Sequence, residues 1–312
     1  MTIVFAAVLL AGLGALSSPA LQMIIPALVE DSKLLYGANS LFDVTTRLSR
    51  LIGPSLAAAL SGLFSPLYVV VAAAAGFFAS VLSILRIRSS IDFVASVKPQ
   101  DEASDFPRRL ERFLRTLREH LDVALVLLSN MAVYGLWNVG LVLGVALLFK
   151  QGGSLDDGDH GLKNYAAVLA AFAVGEILSS LVISNWSLNK PWLGYMLLGG
   201  AMALIPYPMY YLPSNLQLLA MIVCAFLSGI GAPMFFLPMV LMLQSRFSGG
   251  DLLEVTRLRQ SLLLSALLLG STAAPALFQA LAPALAITVV GSSILMIGLF
   301  GQCAKYMHLA SP

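Results

Sequence analysis

Apolar segments of membrane-crossing length recur along almost the whole chain. They are predicted to form helices at residues 2–18, 38–63, 66–86, 121–149, 164–185, 192–211, 216–243, 259–282 and 285–306. A helix needs about 20 mainly apolar residues to cross the ~30 Å hydrocarbon layer of a bilayer. A closed β-barrel would instead show alternating apolar and polar residues, which are not seen here. The sequence therefore predicts an all-α, polytopic membrane helix bundle with about nine transmembrane helices.

The composition excludes an ordinary soluble domain. Hydrophobic residues make up 59% of the chain, charged residues make up 11%, and the mean hydropathy is +0.88. Typical soluble domains contain roughly 25% charged residues. The two cysteines, Cys224 and Cys303, are too few for a disulfide framework and lack the spacing of a CxxC metal site. We expect both to fill space as small apolar side chains.

One long polar stretch, residues 86–120, interrupts the apolar pattern. It holds eight of the 18 Lys and Arg residues, and basic loops of membrane proteins stay on the cytoplasmic side. With this stretch inside, sixteen Lys and Arg residues fall on the cytoplasmic side, and only Lys150 and Lys163 lie outside. We therefore predict an external N-terminus for this chain and a cytoplasmic C-terminus. Three helices are predicted in residues 1–86, a cytoplasmic linker with an amphipathic helix in 87–120, and six helices in 121–312.

Glu176 is an acidic residue deep within a predicted span. At ~1.5 Å per residue from the external end near Asn164, it lies about 18 Å into the membrane. An ionisable group at that depth is costly unless it is paired or hydrated. Two interpretations follow. Either the carboxyl group couples proton entry to transport or holds a cationic substrate, or it forms a hydrogen bond that joins two helices.

The fourth predicted span carries a polar and aromatic face. Its members are Asn130, Tyr134, Trp137 and Asn138, spaced at i, i+4, i+7 and i+8, which places them on one side of an α-helix. Such a face suits either an amphipathic or aromatic substrate, or packing against neighbouring helices.

Two further stretches carry motifs. The first comprises Pro19-Ala20, Ile25-Pro26-Ala27-Leu28-Val29, Gly37-Ala38-Asn39-Ser40-Leu41 and Gly53-Pro54, and the second comprises Gly229-Ile230-Gly231-Ala232-Pro233, Pro238, Gln244, Arg246 and Arg257. The first resembles the segment that joins helices four and five of exporters of the major facilitator superfamily. The second resembles the tenth helix and following cytoplasmic loop, and is most similar to those of the macrolide and siderophore exporter branch.

This resemblance begins at the family's fourth helix, so it implies an incomplete N-terminal half. It also implies two bundles joined by the basic linker, with substrate near the midplane between them. The gate and motif candidates that it implies are Asp43, Arg47, Arg50, Gly53, Pro54, Gln244, Arg246 and Arg257. Asp43 and Arg47 have the i, i+4 spacing of an intrahelical ion pair. Alternatively, these arginines simply extend to the headgroups.

The resemblance implies a secondary transporter of the inner (plasma) membrane. It would export a small lipophilic or amphipathic compound by alternating access, with protons as the coupling ion. The alternative is a truncated remnant that inserts but does not transport, and a third possibility is assembly with a separately encoded partner that supplies the missing helices.

No catalytic constellation is apparent. His120, His160 and His308 lie far apart in the sequence, and no hydrolase, metalloprotease or nucleotide-binding motif occurs in its required context. We therefore expect no enzyme activity, no metal, no cofactor and no nucleic-acid partner. The expected partners are the lipid bilayer, protons and a small-molecule substrate.

Overall fold

The structure is a computed structural model that describes residues 32–63, 66–87, 121–152, 158–186, 190–247 and 249–309, with the isolated positions 25, 29 and 118. The described residues are almost all helical and contain no strand, which confirms the all-α class. The helices are α1 (Ser32–Leu63), α2 (Pro66–Ile87), α3 (Leu121–Trp137), the π-helix π1 (Asn138–Gly144), α4 (Val145–Gly152), α5 (Gly158–Trp186), α6 (Pro191–Leu204), α7 (Pro208–Tyr211), α8 (Ser214–Arg246), α9 (Gly249–Ala280) and α10 (Pro283–Leu309). The predicted span at 2–18 and nearly all of the 87–120 linker lie outside the described residues.

Within the described ranges, five helical stretches are long and apolar enough to cross a membrane. They are Leu121–Lys150, Lys163–Ile183, Ser214–Arg246, Glu254–Ala280 and Pro283–Cys303. Each coincides with a predicted span, and the protein is accordingly embedded in a membrane. Helix α2 contributes a shorter apolar stretch, Val71–Ser83.

The span predicted at 192–211 is interrupted. Helix α6 starts with Pro191 in its first turn and ends at Leu204, and a turn separates it from the four residues of α7. Pro206 and Pro208 contribute to the break, because each lacks the backbone N–H donor that an i→i−4 hydrogen bond needs. The residues before them, Ile205 and Tyr207, keep helical dihedral angles.

The span predicted at 121–149 changes its helical geometry midway. Helix α3 ends at Trp137, the π-helix π1 covers the next seven residues, and α4 continues from Val145. Because a π-helix bonds i to i+5 instead of i to i+4, it changes which side of the segment each later residue faces. The regular α-helical spacing assumed from the sequence therefore stops at Trp137.

Glycines allow α5 and α8 to cross in direct backbone contact. A Cβ atom added to Gly229 of α8 would lie 2.1 Å from the carbonyl oxygen of Phe172 in α5. On the same crossing, a Cβ atom added to Gly175 would lie 2.2 Å from the carbonyl oxygen of Phe226. Small residues permit this approach in membrane bundles. The crossing fixes the position of Glu176, the residue that follows Gly175.

Helix α1 packs its polar side inward, against α5 and α8. Asn39, Asp43 and Arg47 are each only 5% exposed, whereas Leu41 and Leu48 on the opposite side are 67% and 41% exposed. A helix that turns apolar side chains outward and polar ones inward suits a lipid surrounding, where buried polar groups mark functional surfaces.

Candidate functional site

A row of polar side chains on α1 joins this helix to α5 and α8. Asn39, Asp43 and Arg47 are spaced by four residues and so share one helix face. Asn39 Nδ2 donates a hydrogen bond of 2.8 Å to Gln244 Oε1, and Gln244 Nε2 donates one of 3.3 Å to Asn39 Oδ1. Ser40 Oγ donates to the carbonyl oxygen of Ser180, at 2.8 Å. We call these contacts, with the charged cluster described next, the α1 seam.

The charged cluster of the α1 seam centres on Arg47. Its Nε donates to Asp43 Oδ2 at 2.7 Å, and its Nη1 donates to Glu176 Oε1 of α5. Ser180 Oγ donates to the same Asp43 oxygen at 2.6 Å. All four residues are buried. Mutual pairing is what makes such burial tolerable, because an isolated charge in a low-dielectric interior costs several kcal/mol.

A cavity of about 190 Å³ adjoins the charged cluster. Its walls come from α1, α3, α5, α6, α8 and α9, and the lining includes Asp43, Arg47, Asn130, Tyr134, Trp137, Glu176, Phe235, Phe236 and Arg259. The cavity therefore lies where a predicted proton or substrate residue and a predicted polar face converge.

The cavity wall from α3 is aromatic and incompletely hydrogen-bonded. The rings of Tyr134 and Trp137 stack with centroids 5.7 Å apart. Asn130 is 3% exposed, and its Oδ1, like the buried Nε1 of Trp137, has no hydrogen-bond partner among the described residues. Buried polar atoms are nearly always paired. The wall therefore carries two buried polar groups whose hydrogen bonds are not satisfied by the described residues.

Arg259 of α9 supplies a second buried guanidinium group. It is 3% exposed, and its Cζ lies 5.0 Å from the centroid of the Phe236 ring, a cation–π contact. The Cζ of Arg47 lies 5.9 Å from the same centroid. The sequence analysis counted Arg259 only as a cytoplasmic charge. Its position beside a long apolar run does not by itself distinguish a buried arginine from one that extends to the headgroups.

The remaining predicted site residues lie elsewhere. Asn138, the first residue of π1, does not line the cavity, and its Nδ2 donates to Ser271 Oγ of α9 at 3.2 Å. Arg246 forms an ion pair with Asp122 at the start of α3, and Arg257 is exposed. Gly53, Pro54 and Arg50 lie within α1, but their side chains are outside the described set.

The geometry bears on two alternatives left open by the sequence. Arg47 does not extend to the headgroups, since it is buried and contacts two carboxylates. Glu176 joins two helices, through Arg47, and it also lines the cavity.

The described residues contain no group of three or more His, Cys, Asp and Glu side chains placed to hold a metal ion. Comparison with known proteins adds no assignment: no family model, curated protein or solved structure matches the chain.

Proposed function

We propose that this chain is a secondary transporter of the major facilitator type, which exports a small amphipathic compound by alternating access in exchange for protons. The observation that carries this proposal is a cavity inside a membrane bundle whose wall combines a buried carboxyl group, Glu176, with aromatic side chains. Ionisable groups inside membrane proteins commonly mark substrate or proton pathways. The exporter-like motifs in α1 and α8 support the choice of family.

The basic linker supports an orientation in which residues 87–120 and the C-terminus are cytoplasmic. In that orientation Gln244, near the end of α8, lies at the cytoplasmic side. The α1 seam then closes the cavity from the cytoplasm, and its opening and closing is the inner gate of the transport cycle.

The Arg47–Glu176 pair links protons to this gate. While Glu176 is ionised, it holds Arg47 and so fastens α1 to α5. Protonation removes the negative charge and weakens the pair, because the attraction between two opposite full charges is replaced by a hydrogen bond from a cation to a neutral group. Asp43 then becomes the principal partner of Arg47, within α1 itself. Proton binding in this scheme weakens the attachment of α1 to α5, which then rests on the hydrogen bonds that Ser180 makes with Ser40 and Asp43.

The test is transport in proteoliposomes with an imposed pH gradient. Three fluorescent probes cover the charge classes: ethidium as a cation, anilinonaphthalene sulfonate as an anion and dansyl-lysine as a zwitterion. We expect gradient-driven transport of at least one probe, and Glu176→Gln should abolish the dependence on the gradient while membrane insertion stays intact. Glu254→Gln, an exposed carboxylate on α9, is the matched control and should transport normally.

Two results would count against the proposal. Unchanged gradient-driven transport by Glu176→Gln would remove Glu176 from the coupling mechanism. Failure of the unmodified chain to move any of the three probes would remove the transport function itself.

A further inference from the structure

The cavity beside the α1 seam is lined by charges of both signs. Asp43 and Glu176 share a single guanidinium group, that of Arg47, so this described cluster carries one net negative charge when both carboxyl groups are ionised. Arg259 of α9 adds a positive charge to the wall. Among the described residues that line the cavity, charge is therefore balanced overall and is carried by groups on different helices.

Both guanidinium groups lie near one aromatic ring. The Cζ atoms of Arg47 and Arg259 are 5.9 Å and 5.0 Å from the centroid of Phe236. A flat ligand beside this ring would lie close to charged groups of both signs.

We propose that the cavity binds a small aromatic zwitterion. Its ammonium group would contact Glu176 and Asp43, its carboxylate would contact Arg259, and its ring would pack between Phe236 and Trp137. This assignment rests on the proposed function, since it names the substrate class of the same cavity. The volume of about 190 Å³ suits one substituted ring, given that an engineered protein cavity of about 150 Å³ admits benzene.

The geometry favours the zwitterion over singly charged ligands. A cation would make no attractive contact with Arg259, and an anion would place its charge in a site that already carries the Asp43 and Glu176 carboxylates. Each charge-assisted contact discriminates by about tenfold, the factor expected from a strong ionic hydrogen bond. A ligand that makes both contacts should therefore gain this factor in affinity once for each contact, relative to an uncharged analogue.

The experiment uses four probes built on one para-substituted benzene ring. They are 4-(aminomethyl)benzoate, 4-methylbenzoate, 4-methylbenzylamine and 4-methylbenzyl alcohol, which are zwitterionic, anionic, cationic and uncharged at pH 7. Their binding to the full chain in lipid nanodiscs is measured by calorimetry. We expect the zwitterion to bind at least about tenfold more tightly than either singly charged probe. Equal affinities, or no binding by any probe, would overturn the assignment.

Variants then assign each end of the ligand. Arg259→Gln should bind the zwitterion no better than 4-methylbenzylamine, whereas Arg259→Lys, which keeps the charge, should retain a preference for the zwitterion. Glu176→Gln should reduce the difference in affinity between the zwitterion and 4-methylbenzoate. The exposed controls Glu254→Gln and Lys190→Gln should leave all four affinities unchanged. A preference that survives Arg259→Gln would overturn the assigned orientation.

The outcome separates this inference from the proposed function. Gradient-driven transport without a binding preference among the four probes would support the proposed transport function and reject the zwitterion as the substrate class. Selective binding of the zwitterion without transport of any probe would support the zwitterion site and reject the transport function.

Discussion

Substitution of Arg47 by Met tests whether the α1 seam stabilises the bundle through its charges. The change removes the cation that contacts both Asp43 and Glu176, which are 5% and 8% exposed. Removal of one partner from a buried ion pair costs about 3–5 kcal/mol, because the other charge stays buried without compensation. Here two buried carboxylates lose the same guanidinium partner, so we expect a loss of at least about 3 kcal/mol in the free energy of unfolding.

Glu176→Gln should cost less, although it also breaks the ion pair. Arg47 keeps its contact with Asp43 at 2.7 Å, and a Gln side chain still offers an oxygen that accepts a hydrogen bond. The expected loss is about 1–2 kcal/mol, because the hydrogen bond from the cationic guanidinium is kept and only the attraction between opposite full charges is lost. The double variant Arg47→Met with Glu176→Leu should be more stable than Arg47→Met alone, since it removes one of the two uncompensated carboxylates.

The assay is unfolding by SDS in mixed micelles, followed by tryptophan fluorescence. Arg257→Met removes an exposed guanidinium and should stay within about 0.5 kcal/mol of the parent chain. The electrostatic reasoning is refuted if Arg47→Met costs no more than Glu176→Gln, or if the double variant is less stable than Arg47→Met.

Two further substitutions probe the contacts around this cluster. Gly229→Ala would place a Cβ atom 2.1 Å from the Phe172 carbonyl oxygen and should lower the free energy of unfolding by about 1–3 kcal/mol. The control Gly200→Ala would place its Cβ atom 3.8 Å from the nearest atom and should leave the free energy of unfolding unchanged. The same SDS titration measures both variants. Ser180→Ala removes a 2.6 Å hydrogen bond to the Asp43 carboxylate and should cost about 1.5–3 kcal/mol by that titration.

For each of these two substitutions, one result would contradict the prediction. Ser293→Ala removes an exposed hydroxyl that bonds only within its own helix, so a loss as large as that of Ser180→Ala would contradict the role given to the interhelical bond. A Gly229→Ala chain as stable as the parent would show that α5 and α8 do not cross as closely as described.

Local features of the site could be predicted from the sequence. The i, i+4 spacing of Asp43 and Arg47 anticipates the contact seen between them, because helix geometry alone brings such residues together. The same reasoning places Asn130, Tyr134 and Trp137 on one face, and all three line the cavity. It fails at Asn138, because π1 begins there and the α-helical repeat stops.

No sequence pattern predicted the contacts between distant parts of the chain. Glu176 was singled out for its depth in the membrane, yet its partner is 129 residues away in sequence. Arg259 and Phe236 were not proposed as site residues, since an arginine near the end of a span is usually explained by the headgroups. Only the packing of α8 and α9 around the cavity shows that Arg259 is buried against a ring.

The sequence by itself therefore determined that this is an all-helical membrane protein, because hydropathy and helix periodicity are local properties that each segment carries alone. Tertiary structure decided which polar groups share the cavity. Their meeting depends on where helices cross, and the α5–α8 crossing is set by two glycines in direct contact with the opposite backbone. Buried charged side chains then pair with groups on other helices, because the free-energy cost of burying an unpaired charge is several kcal/mol.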